Sequence, residues 1–155
     1  MGKGAGICKM SREGIERDFP TLVNLGYTIT SPETIEYNCI AWAAGDIEKC
    51  WWPDPQHLYF WPSETPRKES IEAFIEAFQI MGYALCPNTE YEEGVEKIAI
   101  YVDSNGKPTH AAKQLNSGSW TSKLGSLEDI KHTLDGLGGS GYGSIAVVMK
   151  RPKRV

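Results

Sequence analysis

The chain has little of what usually advertises a function. Its four cysteines, Cys8, Cys39, Cys50 and Cys86, show no Cys-x-x-Cys spacing, which argues against zinc ribbons, redox dithiols and a disulfide framework. No run approaches the roughly 18–20 apolar residues of a membrane span. Met1 is followed by an early lysine and no apolar stretch, so no export signal is expected and the cytoplasm is the expected compartment. Charge of one sign is not in excess either: 16 Lys and Arg face 20 Asp and Glu, a net charge of −4. A nucleic acid or an anionic membrane surface is therefore not an expected partner. The lone basic cluster, Lys150-Arg151-Pro152-Lys153-Arg154, reads as a solvated tail. The glycine-rich stretch from Gly138 to Gly143 lacks the Lys-Ser/Thr of a phosphate loop and precedes a strand, so it is not read as one. No cofactor and no metal site is expected.

What remains is a chain of 155 residues, 41% hydrophobic, enough for one core and one domain over 1–155. The core should occupy about residues 35–150. Ser11 to Arg17 reads as a short helix closed before Pro20, and Leu25 to Pro32 as an extended segment running into a turn. Asn38 is a good cap for the apolar run Cys39-Ile40-Ala41-Trp42-Ala43-Ala44, and Gly45 is a natural stop. From Cys50 to Pro66 aromatics alternate with Pro53, Pro55, Pro62 and Pro66, predicting an irregular aromatic loop. Ile71, Phe74, Ile75 and Phe78 fall at helical spacing and predict a helix over 70–81. Tyr83 to Leu85 starts a strand. Lys97 to Val102 is a strong strand, turned by Asp103-Ser104-Asn105-Gly106 into a partner over Thr109–Gln114. Strands near Ser119–Lys123 and Ser144–Met149 follow, with a helix predicted between them from Ser126 to Leu134. His132 would lie exposed on that helix. Helices early and antiparallel strands late make an α+β pattern.

Cys39 is the residue with the clearest chemical position. A thiol attacks as thiolate, and a helix N-terminus favours negative charge. Backbone N–H groups there also suit an oxyanion. The base would be His110, mid-strand in Pro108-Thr109-His110-Ala111-Ala112, where alternation sets His110, Ala112 and Gln114 on one face. If the Cys39 helix crosses that face, Ala112 leaves room for the imidazole. Ser122, on the next strand, is the preferred group to orient the ring. Asp129 is the chemically stronger alternative, and Gln114 and Asn116 are also at hand. The bland readings stand beside this: a cysteine in an apolar helix is more often core, and so is a lone strand histidine.

The layout Asn38-Cys39-Ile40-Ala41-Trp42, then Ile98-Ala99-Ile100-Tyr101-Val102 through Thr109-His110-Ala111, then Ser122, resembles the papain-like cysteine peptidases of the NlpC type. The resemblance implies a papain-like α+β fold and a cysteine hydrolase acting on an amide or related acyl group. Cys39 would be nucleophile, His110 base and Ser122 the orienting residue, with a peptide, protein or small amide as substrate. Two positions depart from the family: Asn-Cys-Ile replaces its usual Asp-Cys-Ser/Gly, and Ser replaces its usual His, Asn or Gln. The phrases Tyr37–Ala43, Thr109–Ala112 and Trp120–Gly125 are also similar to a small bacterial family of uncharacterised proteins, a likeness that implies no activity. The alternative expectation is a non-catalytic binding or interaction module derived from the same fold.

Overall fold

The computed structural model describes residues 13–124, 128–138 and 142–153. Two short helices come first, α1 over 13–18 and α2 over Pro20–Leu25. Pro20 does stop α1, but it then opens α2 at a first-turn position, where a missing N–H costs nothing. The predicted cap Ser11 lies outside the described residues, as do Cys8 and Ser126. β1 (Tyr27–Ser31) follows, then α3 (Cys39–Ala44), α4 (Ile71–Ile80), β2 (Ala84–Cys86), β3 (Val95–Val102), β4 (Pro108–Gln114) and β5 (Trp120–Lys123). β6 (Asp129–His132), α5 (Leu134–Leu137) and β7 (Ser144–Pro152) complete the set.

α3 forms for the reasons its sequence gives. The Asn38 carboxamide oxygen accepts from Ala41 N, and Gly45 takes the left-handed conformation that releases the chain. α4 is capped by Ser70 and buries Ala73, Phe74, Ala77 and Phe78 along one stripe. The proline-rich segment stays irregular, with a bridge between Trp51 and Phe60 and Arg67 bonded to Asp54 and Tyr59.

Among the described residues, seven strands form one antiparallel sheet in the order β1-β6-β5-β4-β3-β7-β2. Mixed helix and antiparallel sheet is an α+β architecture, richer in strand than the sequence suggested. The difference lies at residues 129–132, predicted as helix and found as β6. This segment pairs with β1 on one side and β5 on the other. Two sets of ladder bonds outweigh the modest helix propensity of Asp-Ile-Lys-His. The helix begins only after it, where the Thr133 hydroxyl caps Gly136 N. His132 is accordingly a buried strand residue, not an exposed helical one.

The sheet divides the interior in two. On one face Ile98, Ile100, Ala111 and Met149 pack with α3 and α4, including Cys39, Ile40, Phe74 and Phe78. On the other, Ala99, Tyr101, Ala112, Trp120 and Ile130 pack with Ile15, Leu22 and Leu137. Parity along each strand then decides which polar side chain belongs to which face. Among the described residues, no helix is long and apolar enough to cross a membrane.

Candidate functional site

Asn38 does more than cap α3. Besides binding Ala41 N at 3.1 Å, its carboxamide accepts from Trp51 N at 3.0 Å and donates to Trp51 O at 2.8 Å. One side chain thus fixes both the helix start and the aromatic loop. Cys39 is set at that start, buried, and a free thiol like Cys50 and Cys86. Burial pushes its pKa up to about 11, while backbone N–H groups of Ala111, Ile40 and Cys39 and the charge of Lys123 pull the other way. Desolvation wins, so the resting side chain is a protonated thiol.

His110 is placed differently from the expectation. Its cross-strand partner is Tyr101, it meets that ring edge-on at 5.5 Å, and it stacks on Tyr142 at 3.9 Å. Tyr101 and Tyr142 belong to the second cluster, whereas neighbouring Ala111 packs with Cys39 in the first. α3 therefore crosses the face of Ala111, opposite to the one that carries His110 and Ala112. Neither ring nitrogen of His110 has a hydrogen-bond partner, so the expected thiol–imidazole bond is not made. Burial, with a smaller contribution from nearby His132, drives the His110 pKa well below its ordinary value. The ring is neutral.

Ser122 shares the face of His110 but is engaged elsewhere. Its hydroxyl meets His132 Nε2 at 2.7 Å, and His132 Nδ1 meets the Thr133 carbonyl oxygen at 2.6 Å. Burial lowers the His132 pKa to about 4 despite that carbonyl. The accepting carbonyl puts the proton on Nδ1, so the Ser122 hydroxyl donates to Nε2. This is a serine–imidazole pair closed in on itself, not a support for His110.

Asp129, the alternative orienting residue, lies on the Cys39 side. It accepts from the Tyr37 hydroxyl at 2.7 Å and from the Ser31 hydroxyl. Burial and the Asp129 carboxylate push the Tyr37 pKa up to about 12. Tyr37 stacks on Trp42 at 5.6 Å, and Trp42 Nε1 donates to Thr121 Oγ1 at 3.2 Å. Lys123 stands over the Tyr37 ring at 5.4 Å. Sequence reasoning missed Lys123 and Tyr37. The signal was present in the alternation of Trp120-Thr121-Ser122-Lys123, which forces Ser122 and Lys123 to opposite faces, but nothing in it says which face meets α3. Gln114 sits with Trp120 beside a separate groove, and Asn116 bonds Lys153 at the surface.

That groove, about 580 Å³, is lined by Gln114, Trp120, Tyr91, Leu134 and Ile145, with Glu90 and Asp135 among its polar residues. Gln114 is held by its Nε2, which donates to the Thr89 carbonyl at 3.0 Å and to that of Gly118 at 3.4 Å. Neither Cys39 nor His110 borders it.

No curated protein and no solved structure matches the chain. A family model described as a domain of unknown function, DUF7689, matches residues 28–150. That span takes in the start of α3, both faces of the sheet and the groove, and by it the chain belongs to the DUF7689 family.

Proposed function

We propose that the protein is a non-catalytic binding module that takes a peptide or small amide in the groove beside Gln114 and Trp120. The observation that carries this reading is the separation of Cys39 and His110 between the two faces of the sheet. A nucleophile and its base need hydrogen-bond contact, directly or through one water. The groove supports it further: its volume falls in the range of small-ligand sites, with apolar and aromatic walls around a few fixed polar groups. The test is an NMR titration of the ¹⁵N-labelled protein with a mixture of N-acetyl dipeptide amides. Shifts gathered on the amides of Gln114, Ser119 and Leu134 are the expected result. A titration that moves none of them refutes the reading.

A second reading is a papain-like cysteine hydrolase with Cys39 as nucleophile, and its place at the Asn38-capped start of α3 favours it. In that reaction Sγ bonds the acyl carbon and the thiol proton leaves to a base; the leaving group then departs, and water releases the acyl group. Incubation with p-nitrophenyl acetate followed by peptide mapping decides between the two. A thioester on Cys39, lost in Cys39→Ser, establishes the hydrolase; acetylation confined to surface amines leaves the binding module.

A further inference from the structure

The basic run near the end of the sequence is not a free tail. Lys150 and Arg151 lie in β7, Arg151 pairs with Glu96 of β3, and Lys153 N still donates to the Gly94 carbonyl at 2.9 Å. Beside it, the start of β3 and the end of β4 border a cavity of about 340 Å³, whose wall includes Glu96, Lys113, Asn116, Arg151 and Lys153. Arg151 is nine-tenths buried and fixed from three sides. Its Nε donates to Glu96 at 2.9 Å and its Nη1 to the Met81 carbonyl at 2.7 Å, and the guanidinium covers the Tyr83 ring at 4.4 Å. Lys113 reaches the same Glu96 carboxylate at 3.5 Å, so one carboxylate holds two cations in place. Lys153 donates to the Asn116 carboxamide oxygen, and the other end of that carboxamide carries N–H donors. Three cations thus stand against one carboxylate on the wall, a surplus of two positive charges in a chain whose net charge is −4.

We propose that this cavity binds the phosphate group of a small phosphate monoester, with Lys113, Arg151 and Lys153 as its charge partners and Asn116 as a neutral donor. A phosphate monoester carries about −1.5 to −2 charges at pH 7, which matches the surplus, whereas a lone carboxylate balances only half of it. Cations that Glu96 already holds in place lose little freedom when an anion arrives. The cavity is larger than a bare phosphate ion needs and falls in the range of small-ligand sites, so it has room for the esterified part. This goes beyond the binding reading and does not rest on it.

The test is a titration of the ¹⁵N-labelled protein with phenyl phosphate, benzoate and inorganic phosphate, each at matched ionic strength so that general screening is constant. Phenyl phosphate should move the amides of Lys113, Asn116 and Lys153 to saturation, and benzoate should bind about tenfold more weakly or not at all. Lys113→Met and Lys153→Met should each weaken phenyl phosphate about fivefold. Lys131→Met, which removes an exposed cation on β6 away from the cavity, should leave it unchanged. Three results overturn the proposal: no saturable shift at those amides, benzoate binding as tightly as phenyl phosphate, or K131M weakening binding as much as K113M and K153M. Inorganic phosphate binding as tightly as phenyl phosphate overturns the ester and makes the free ion the ligand. Lys113, Asn116 and Lys153 do not line the groove beside Trp120, so a failure here is separate from a failed peptide titration.

Discussion

His110→Phe is the perturbation that most sharply separates a catalytic base from a packed ring. In the protein His110 is enclosed, stacked 3.9 Å from Tyr142 and edge-on to Tyr101 at 5.5 Å, with both ring nitrogens unpartnered. Phenylalanine keeps both aromatic contacts and removes two polar atoms, each costing about 1–3 kcal/mol when buried without a hydrogen bond. The slightly larger ring returns part of that gain as crowding. H110F should thus be at least as stable as the parent at pH 7.5. The pH dependence should change as well. A histidine whose folded pKa lies below its unfolded value stabilises fully above about 6.5 and loses that contribution as pH falls towards the folded value. His132, moved to about 4, contributes on the order of 3 kcal/mol in this way, fading between pH 6.5 and 4. His110 is shifted in the same direction, so the parent should approach a slope of two protons, about 2.7 kcal/mol per pH unit. In H110F the slope should halve. Urea unfolding followed by tryptophan fluorescence at pH 7.5, 6, 5.5 and 5 measures both quantities. A loss above about 1 kcal/mol at pH 7.5 with m unchanged, or an unaltered slope, would refute the reasoning.

Three further outcomes follow from other contacts. Asn38→Ala removes the α3 cap and both bonds to Trp51, and should cost about 2–4 kcal/mol by urea unfolding; a loss under 1 kcal/mol contradicts the bracing role. Ser122→Ala leaves His132 Nε2 unpartnered in the interior and should cost about 1–3 kcal/mol, with any Cys39 thioester formed at the parent rate. Gly143→Ala sets a Cβ against the Val102 carbonyl at a positive φ of 83°. The variant should be recovered mainly as insoluble protein, and a melting temperature equal to the parent's would show the chain bends away freely.

Much of the backbone is legible in the sequence because local rules act alone there. Asn38 and Gly45 delimit α3, Ser70 starts α4, and the β-branched run into Asp103-Ser104-Asn105-Gly106 makes the β3–β4 hairpin as expected. Residues 129–132 do not show as a strand in the sequence because their fate depends on β1, a partner about a hundred residues earlier that no window includes. The site divides the same way. Cys39 at a capped helix tip is a local fact, set by Asn38 next to it. That His110, Ala112 and Gln114 share a face is local too, since side chains alternate along a strand. Which of the two faces α3 covers depends on how the sheet assembles, and that choice sets His110 and Ser122 on the face away from Cys39 and Asp129 and Lys123 on the face that α3 covers. The papain-like likeness is one of order along the chain and carries no information about side.

The place of β7 has a consequence for how the protein is made. This late strand is inserted between β3 and β2, both of which leave the ribosome well before it. Until Ser144–Pro152 emerges, two neighbouring rows of backbone donors and acceptors stay open, and Ile98, Ile100 and Tyr101 lack a flanking strand. Nascent chains therefore pass through an interval in which edge-to-edge association competes with closure, and a stop codon shortly before Ser144 should yield aggregates in place of a smaller domain.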